Sequence, residues 1–356
     1  MRRSILLALS AVLLLNGCEG CDASPLSVVP EPGAIAGRIC DPADARGIFG
    51  ARVWVTQVFG DGSERELETV TDGEGLFLLE GVPEGTYDLQ VTRGSFRATV
   101  EAVEVREAET TVLDESACIE PEVSFTVYEG HDSVEDVLAR IGYSVANLVE
   151  TNHEFDAHDE TTPSWLVDEF GAYEHFADND ILFINCAGHE WALDNASPSE
   201  VTTVLDNLRR FVSEGGSIYL SDWSYDLLEL LYPDAADWFG DDEERDAAQK
   251  GKAQVFVGDV VDADIIAMLG RERASLKYDQ SRIAIPVELG VGSRAMITAD
   301  IVVNGDDGDE TLQGVPVLFE HRPPGAAGRV IFTTFHNGND NTEAMDEVLR
   351  AIVYSL

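Results

Sequence analysis

The chain has 356 residues, 44% of them hydrophobic, with 67 Asp and Glu against 23 Lys and Arg, giving a net charge of −44. A field of that sign repels phosphate backbones and anionic headgroups, which argues against nucleic-acid binding. The length suits two folded domains rather than one, and the apolar fraction is large enough to fill their cores.

Arg2 and Arg3 open the chain with positive charge, and the apolar run from Ile5 to Leu15 is too short to span a bilayer comfortably. The run ends Leu15-Asn16-Gly17-Cys18. It resembles a bacterial lipoprotein signal peptide, with Asn16 in place of the usual small residue. The resemblance implies a signal peptide over residues 1–17, cleavage before Cys18 and lipidation of its sulfur. Each acyl CH₂ then contributes about 0.8 kcal/mol to membrane anchoring. The protein is therefore expected outside the cytoplasm, lipid-anchored in the cell envelope, with the membrane as one partner. An ordinary secretory signal with a coincidental cysteine is the competing reading. Residues 18–33 are small, polar and proline-bearing, and read as a tether. Export permits disulfides. Cys40 and Cys118 bracket the first folded domain and are expected to pair, contributing roughly 4 kcal/mol in the chain-entropy view. Cys21 and Cys186 are left over.

Residues 34–120 alternate apolar and polar side chains in short runs separated by Gly, Asp and Pro, which predicts an all-β sandwich. At its centre stands "TDGEGLFLLEGVPEGTYDLQVTRG", residues 71–94. Asp72, Gly73 and Gly75 suit a hairpin turn, Phe77 points inward, Pro83 fixes a second turn, Gly85 is placed for positive φ, and Tyr87 starts the next strand. This segment resembles the carboxypeptidase regulatory-like domains and the related Cna-B repeats. The resemblance implies a transthyretin-like sandwich without catalytic residues. The Lys–Asn isopeptide bond of some Cna-B relatives is excluded, because residues 34–120 contain no lysine.

From residue 121 to 356 the period changes to alternating strands and amphipathic helices, among them "SVEDVLARIGY" with Ser133 as N-cap, the buried-looking strand "DILFINCAG", the helix "SPSEVTTVLDNLRRFVSEGG" and the strand "SIYLSD". The order predicts an α/β three-layer unit around a mainly parallel, flavodoxin-like sheet. Residues 240–253 read as an exposed excursion, several further strands follow, and a last helix closes the chain. "DILFINCAG", "FVSEGGSIYL" and "GRVIFTTFHNG" together resemble the class I glutamine amidotransferase-like fold, nearest its ThuA-like branch. The resemblance implies a nucleophilic cysteine in a G-x-C-x-G turn after "SIYL", and a catalytic histidine after the last strand. Here the turn reads Ser221-Asp222-Trp223-Ser224-Tyr225, which sets Trp223 on the cysteine position, or Asp222 or Ser224 if the register shifts by one. The acid expected two residues after His336 is replaced by Gly338. The amidotransferase mechanism is thus not expected.

Ligands of open α/β sheets bind beyond the carboxyl ends of the strands. Five of the seven histidines fall there: His131, His153, His158, His189 and His336. The candidate pocket residues are His131, Asp132, His153, Cys186, His189, Glu190, Asp222, Trp223, His336 and Asp340. No HExxH or paired CxxC is present, so no metal ligand set is assigned and no cofactor is expected, a divalent metal at these strand ends being the lesser reading. Cys186 with His189 and Glu190, or Ser221 or Ser224 with His336, would make hydrolase dyads. "NGDDGDE", residues 304–310, reads as a solvated turn rather than a calcium loop. Trp165, Trp191, Trp223 and Trp238 read as packing rather than as a carbohydrate platform. The leading expectation is a noncatalytic unit binding a small molecule, carbohydrate or envelope protein. The alternative is a hydrolase or metal-dependent enzyme.

Overall fold

The protein, seen in a computed structural model, is described over residues 31–41, 45–113, 119, 122–143, 145, 147–151, 164–193, 196–240, 247–305, 308–338 and 341–356. Seven short strands form the first unit: β1 (Gly33–Arg38), β2 (Arg52–Val58), β3 (Glu64–Val70), β4 (Leu76–Val82), β5 (Gly85–Arg93), β6 (Phe96–Val105) and β7 (Thr110–Val112). They make two sheets, in the orders β4-β1-β7 and β3-β2-β5-β6. Alternate residues such as Ile35, Phe77, Val53, Val55, Leu89 and Val91 point between the sheets and are buried. The turn before β4 forms because the Asp72 carboxylate accepts the backbone N–H groups of Glu74 and Leu76, both at 2.9 Å. Gly75 there takes φ +76°, whereas Gly85 stays outside the left-handed region. The expected role of Gly85 is therefore corrected: the Tyr87 ring, 3.2 Å from where its Cβ would stand, needs the room.

The second unit continues with β8 (Phe125–Tyr128), α1 (Val134–Arg140), β9 (Asn147–Val149), α2 (Trp165–Phe170), β10 (Ile181–Ile184), α3 (His189–Ala192), α4 (Pro198–Ser213), β11 (Ser217–Ser221) and α5 (Tyr225–Leu231). Then come β12 (Ala236–Trp238), β13 (Gln254–Val260), α6 (Ala263–Leu269), β14 (Arg273–Tyr278), β15 (Pro286–Leu289), β16 (Ser293–Gly305), β17 (Gly308–His321), β18 (Arg329–Thr333) and α7 (Glu343–Val353). Helix α4 starts at a capping box, Ser197 and Glu200 each bonding the other's backbone N–H. Helix α6, unread in the sequence, is capped by Asp262 and closed by Gly270 in the left-handed region.

One nine-stranded sheet runs β14-β13-β16-β17-β18-β11-β10-β8-β9. Its β18-β11-β10-β8-β9 half is parallel. Its other half is antiparallel. The expectation of a mainly parallel sheet is therefore corrected to a mixed one. The parallel half buries both faces, as Ile181–Ile184 illustrates. One face packs with α1 and α7 residues such as Val137, Leu138, Val348 and Ile352. The opposite face packs with α2, α4 and α5 residues such as Phe170, Leu208 and Leu228.

The sandwich shares a core with this unit. A single buried cluster runs from Ile35 and Phe96 to Tyr354 and Leu356. The Phe96 ring lies 4.9 Å from that of Tyr354 and 5.9 Å from that of Tyr143. Arg350 of α7 donates to Asp41 at 2.9 Å, and Ser95 donates to the Leu356 carbonyl at 3.0 Å. Cys40 is disulfide-bonded; its expected partner Cys118 lies outside the described residues, while the neighbouring Ile119 bridges Ile39.

Candidate functional site

The carboxyl ends of β8, β10, β11 and β18 converge, and the turns that leave them carry most of the candidate side chains. After β8 the chain must pass tightly against the turn after β10. Gly130 permits this, because a Cβ there would lie 2.5 Å from the Cys186 carbonyl oxygen. Asp132 then staples two strand ends. One of its oxygens accepts the Cys186 backbone N–H at 2.7 Å, and the other accepts the Ser221 hydroxyl at 2.6 Å. Ser224 donates to the Asn185 carbonyl at 3.0 Å. The Asn337 amide donates to Tyr219 Oη at 2.6 Å, tying the exit of β18 to β11.

The turn after β11 is a sharp strand-to-helix elbow, one turn of 3₁₀ helix at residues 222–224 leading into α5. Its strained residue is Asp222, a non-glycine at φ +41° and fully buried. Such a conformation costs on the order of 1–3 kcal/mol and is kept only where the surroundings enforce it. Asp222 is therefore the residue that this elbow holds in the left-handed region. The Trp223 indole donates to the Arg282 carbonyl at 2.6 Å, and its ring stands 5.9 Å from that of His131.

Asp222 Oδ2 meets His336 Nε2 at 2.9 Å, and His336 Nδ1 meets Asp279 Oδ1 at 3.2 Å. This second acid comes from the turn after β14. Gln280 also reaches the His336 ring, at 3.0 Å. The Ala284 N–H donates to the other Asp222 oxygen at 3.3 Å. Cys186 Sγ lies 3.9 Å from Asp222 Oδ2. Cys186, Asp222 and His336 are all buried, with a ligand-type atom from each within 4.8 Å of the others.

Burial pushes the Cys186 thiol up to about 12, so it is protonated at neutral pH. Burial also raises the Asp222 carboxyl. Burial opposes charge on His336, yet its partners overcome that and hold its pKa well above the ordinary histidine value. Cys186 contributes most to that rise, followed by the hydrogen bonds to Asp222 and Asp279. The His336 hydrogen bond in turn holds the Asp279 carboxyl low. His336 is thus held between the Asp222 and Asp279 carboxyl groups, beside the Cys186 sulfur.

A cavity of about 330 Å³ opens on one side of His336, lined also by His131, Asp132, Lys277, Asp279 and Asn341. His189 does not join it. Its Nδ1 pairs with Asp226 at 3.2 Å and the residue is fully buried, so the Cys186–His189 dyad is not formed. The Ser221 and Ser224 hydroxyls are committed to Asp132 and Asn185, away from His336. His153, His158 and Asp340 lie outside the described residues, as does the side chain of Glu190. Sequence reading missed Asp279, Gln280 and Lys277.

Residues 34–116 match the family of carboxypeptidase regulatory-like domains. The sandwich is a carboxypeptidase regulatory-like domain. No curated protein matches the chain. Among solved structures, a candidate GMP synthase protein from Thermoplasma acidophilum aligns at 11% identity and TM-score 0.41, over 65% of this chain and 93% of that one. A candidate carbohydrate-binding protein from Bacteroides uniformis aligns at 20% identity and TM-score 0.20, over 26% of this chain and 45% of that one. BcpA, the major pilin of Bacillus cereus, aligns at 18% identity and TM-score 0.19, over 26% of this chain and 31% of that one. The chain thus spans less than half the length of the last two, and at these scores the likenesses decide neither fold nor activity.

Proposed function

We propose that the protein is an exported, lipid-anchored envelope protein whose C-terminal α/β unit binds a small polar ligand without catalysis. In this reading the unit has the class I glutamine amidotransferase-like fold of the ThuA-like branch, with the cysteine chemistry lost. The observation that carries it is Asp222: the elbow holds a buried carboxylate bound to His336 at 2.9 Å instead of a thiol. The adjoining cavity of about 330 Å³ supports the binding role; it falls at the small end of ligand pockets, roughly 300–1,000 Å³. Lys277, one of only three lysines in the chain, and Asn341 give it donors, and Asp279 an acceptor. The Arg2-Arg3 start and the Leu15-Asn16-Gly17-Cys18 box support the anchor.

A second reading is favoured by one observation. Asp222, His336 and Asp279 stand in the order nucleophile, histidine, acid, at 2.9 and 3.2 Å. That order suits a hydrolase forming an aspartyl ester. The full burial of Asp222 and the protonated state of His336 count against it.

The test is a thermal-shift screen of the mature chain against monosaccharides, amino acids and dicarboxylates, with ammonia release from glutamine and ester hydrolysis measured in parallel. The expected result is stabilisation by one ligand class, about 2.7 kcal/mol at a hundredfold excess over Kd, lost in Lys277→Ala, with no turnover. Turnover that disappears in Asp222→Asn would replace the binding reading with the hydrolase. Labelling by an acyl precursor that persists in Cys18→Ser would remove the anchor.

A further inference from the structure

We propose that Cys186, Asp222 and His336 form a binding site for a divalent transition-metal ion, with zinc the ion this donor set fits best. The inference does not depend on the noncatalytic reading. Thiolate, imidazole and carboxylate together are the donors of zinc, whereas calcium and magnesium take oxygen only. The spacing suits it. Tetrahedral zinc with bonds of about 2.0–2.3 Å holds its donors roughly 3.3–3.8 Å apart. Here Nε2 and Oδ2 are 2.9 Å apart, and Sγ and Oδ2 are 3.9 Å apart. Moving each donor by a few tenths of an ångström closes the difference.

The groups behind the donors carry the inference furthest. A metal-bound histidine characteristically gives its other ring N–H to a carboxylate, and His336 Nδ1 has Asp279 at 3.2 Å. A ligating carboxylate is itself hydrogen-bonded, and the second Asp222 oxygen has the Ala284 N–H at 3.3 Å. Asp132 fixes the Cys186 backbone through its N–H at 2.7 Å. Three strand ends thus deliver three pre-oriented donors.

A dication binding at Nε2 and Sγ displaces any proton on those atoms to solvent, since a coordinated thiol is deprotonated outright.

Stoichiometry alone is not diagnostic, because 67 carboxylates hold any dication weakly. The test therefore reads the sulfur. The full mature chain is stripped with chelator, then titrated with Co²⁺ and, separately, with Zn²⁺. The expected result is a thiolate-to-cobalt charge-transfer band saturating near one equivalent and displaced by Zn²⁺. Cys186→Ser should abolish the band, and Asp279→Asn should weaken binding about tenfold. Circular dichroism of Cys186→Ser checks that the fold is kept. A wild-type chain that gives no band, or a band that survives in Cys186→Ser, overturns the proposal.

Discussion

The sandwich and the α/β unit treat buried polarity differently. Among the described residues of the sandwich, the buried polar groups are Asp41, Thr71 and Ser95. Thr71 closes a turn, accepting from Ala51 N and donating to Ile48 O, while Asp41 and Ser95 reach across to the last helix and the chain's end. The α/β unit instead buries Asp132, Asn185, Ser221, Asp222, Ser224, His336 and Asn337 around one group of strand ends. Buried polar groups cost free energy unless each is paired, so a unit that only holds position does without them. Their concentration, together with the left-handed Asp222, is what singles these strand ends out as the candidate site.

The contrast fails if the sandwich is an independent spacer. The largest effect should therefore come from the joint. Arg350→Ala leaves the Asp41 carboxylate, 2% exposed, without the guanidinium that meets it at 2.9 Å. Removing one partner of a buried pair costs about 3–5 kcal/mol. The expected outcome in urea unfolding is a lower midpoint for both units together. A loss confined to the sandwich signal would make the shared core energetically irrelevant.

The next effect belongs to the elbow. Asp222→Ala removes one of the two carboxyl groups that meet His336, leaves Asp279 on the other ring nitrogen at 3.2 Å, and so lowers the histidine's pKa. The expected cost is about 2 kcal/mol, that of an unmet buried hydrogen-bonding group. It should be smaller at pH 8 than at pH 6 by thermal unfolding. Asp222→Asn, isosteric and tolerant of positive φ, should cost less than Asp222→Ala.

A third effect follows from linkage. The folded pKa of His336 is raised, so its contribution is fully present below the unfolded value near 6.5 and is lost as pH rises through the folded value. Asp279, held low, contributes above its unfolded pKa, and that contribution is lost as pH falls through the folded one. Between these limits the raised Asp222 carboxyl, which holds its proton to higher pH in the folded chain, should lower stability as pH rises. Above about pH 6.5 it should decline by at most about 1.4 kcal/mol per pH unit. His336→Asn should remove the decline in the apo chain. A wild-type curve with the same slope as the variant would place the charge elsewhere.

Much of this was legible in the sequence because local chemistry decides it. The "TDGEG" turn needs an Asp acceptor and a left-handed Gly75, the Ser197–Glu200 box starts α4, and His336 follows an apolar strand. Other features were not legible, for physical reasons. Parallel and antiparallel strands carry the same apolar alternation, so the antiparallel half of the sheet could not be told from a parallel one. The strained residue of the elbow is Asp222 at φ +41°, and spacing alone left Trp223, Asp222 and Ser224 all open for the tip of that turn. Asp279 is 57 residues from His336 and arrives from the far edge strand through a returning loop, so no local motif announces it. Helix α6 was readable, since Asp262 and Gly270 are its cap and its stop.

The smallest effect sharpens the same contrast, because it uses the same pair of groups in a different setting. On the sandwich surface Arg52 donates to Glu68 at 2.7 Å and to Glu66 at 2.6 Å, with its guanidinium 4.3 Å above the Trp54 ring. The geometry is no poorer than that of Arg350 with Asp41. Yet the Arg52 side chain is 40% exposed, so water and salt screen its partners, and such pairs are worth at most about 1 kcal/mol. Arg52→Ala should therefore lower the unfolding free energy by under about 1 kcal/mol, with the ionic part disappearing in molar salt and the Trp54 contact persisting. Arg350→Ala should lose far more and should keep most of that loss at high salt. Equal losses for the two variants would mean that burial does not separate the surface of the sandwich from its junction.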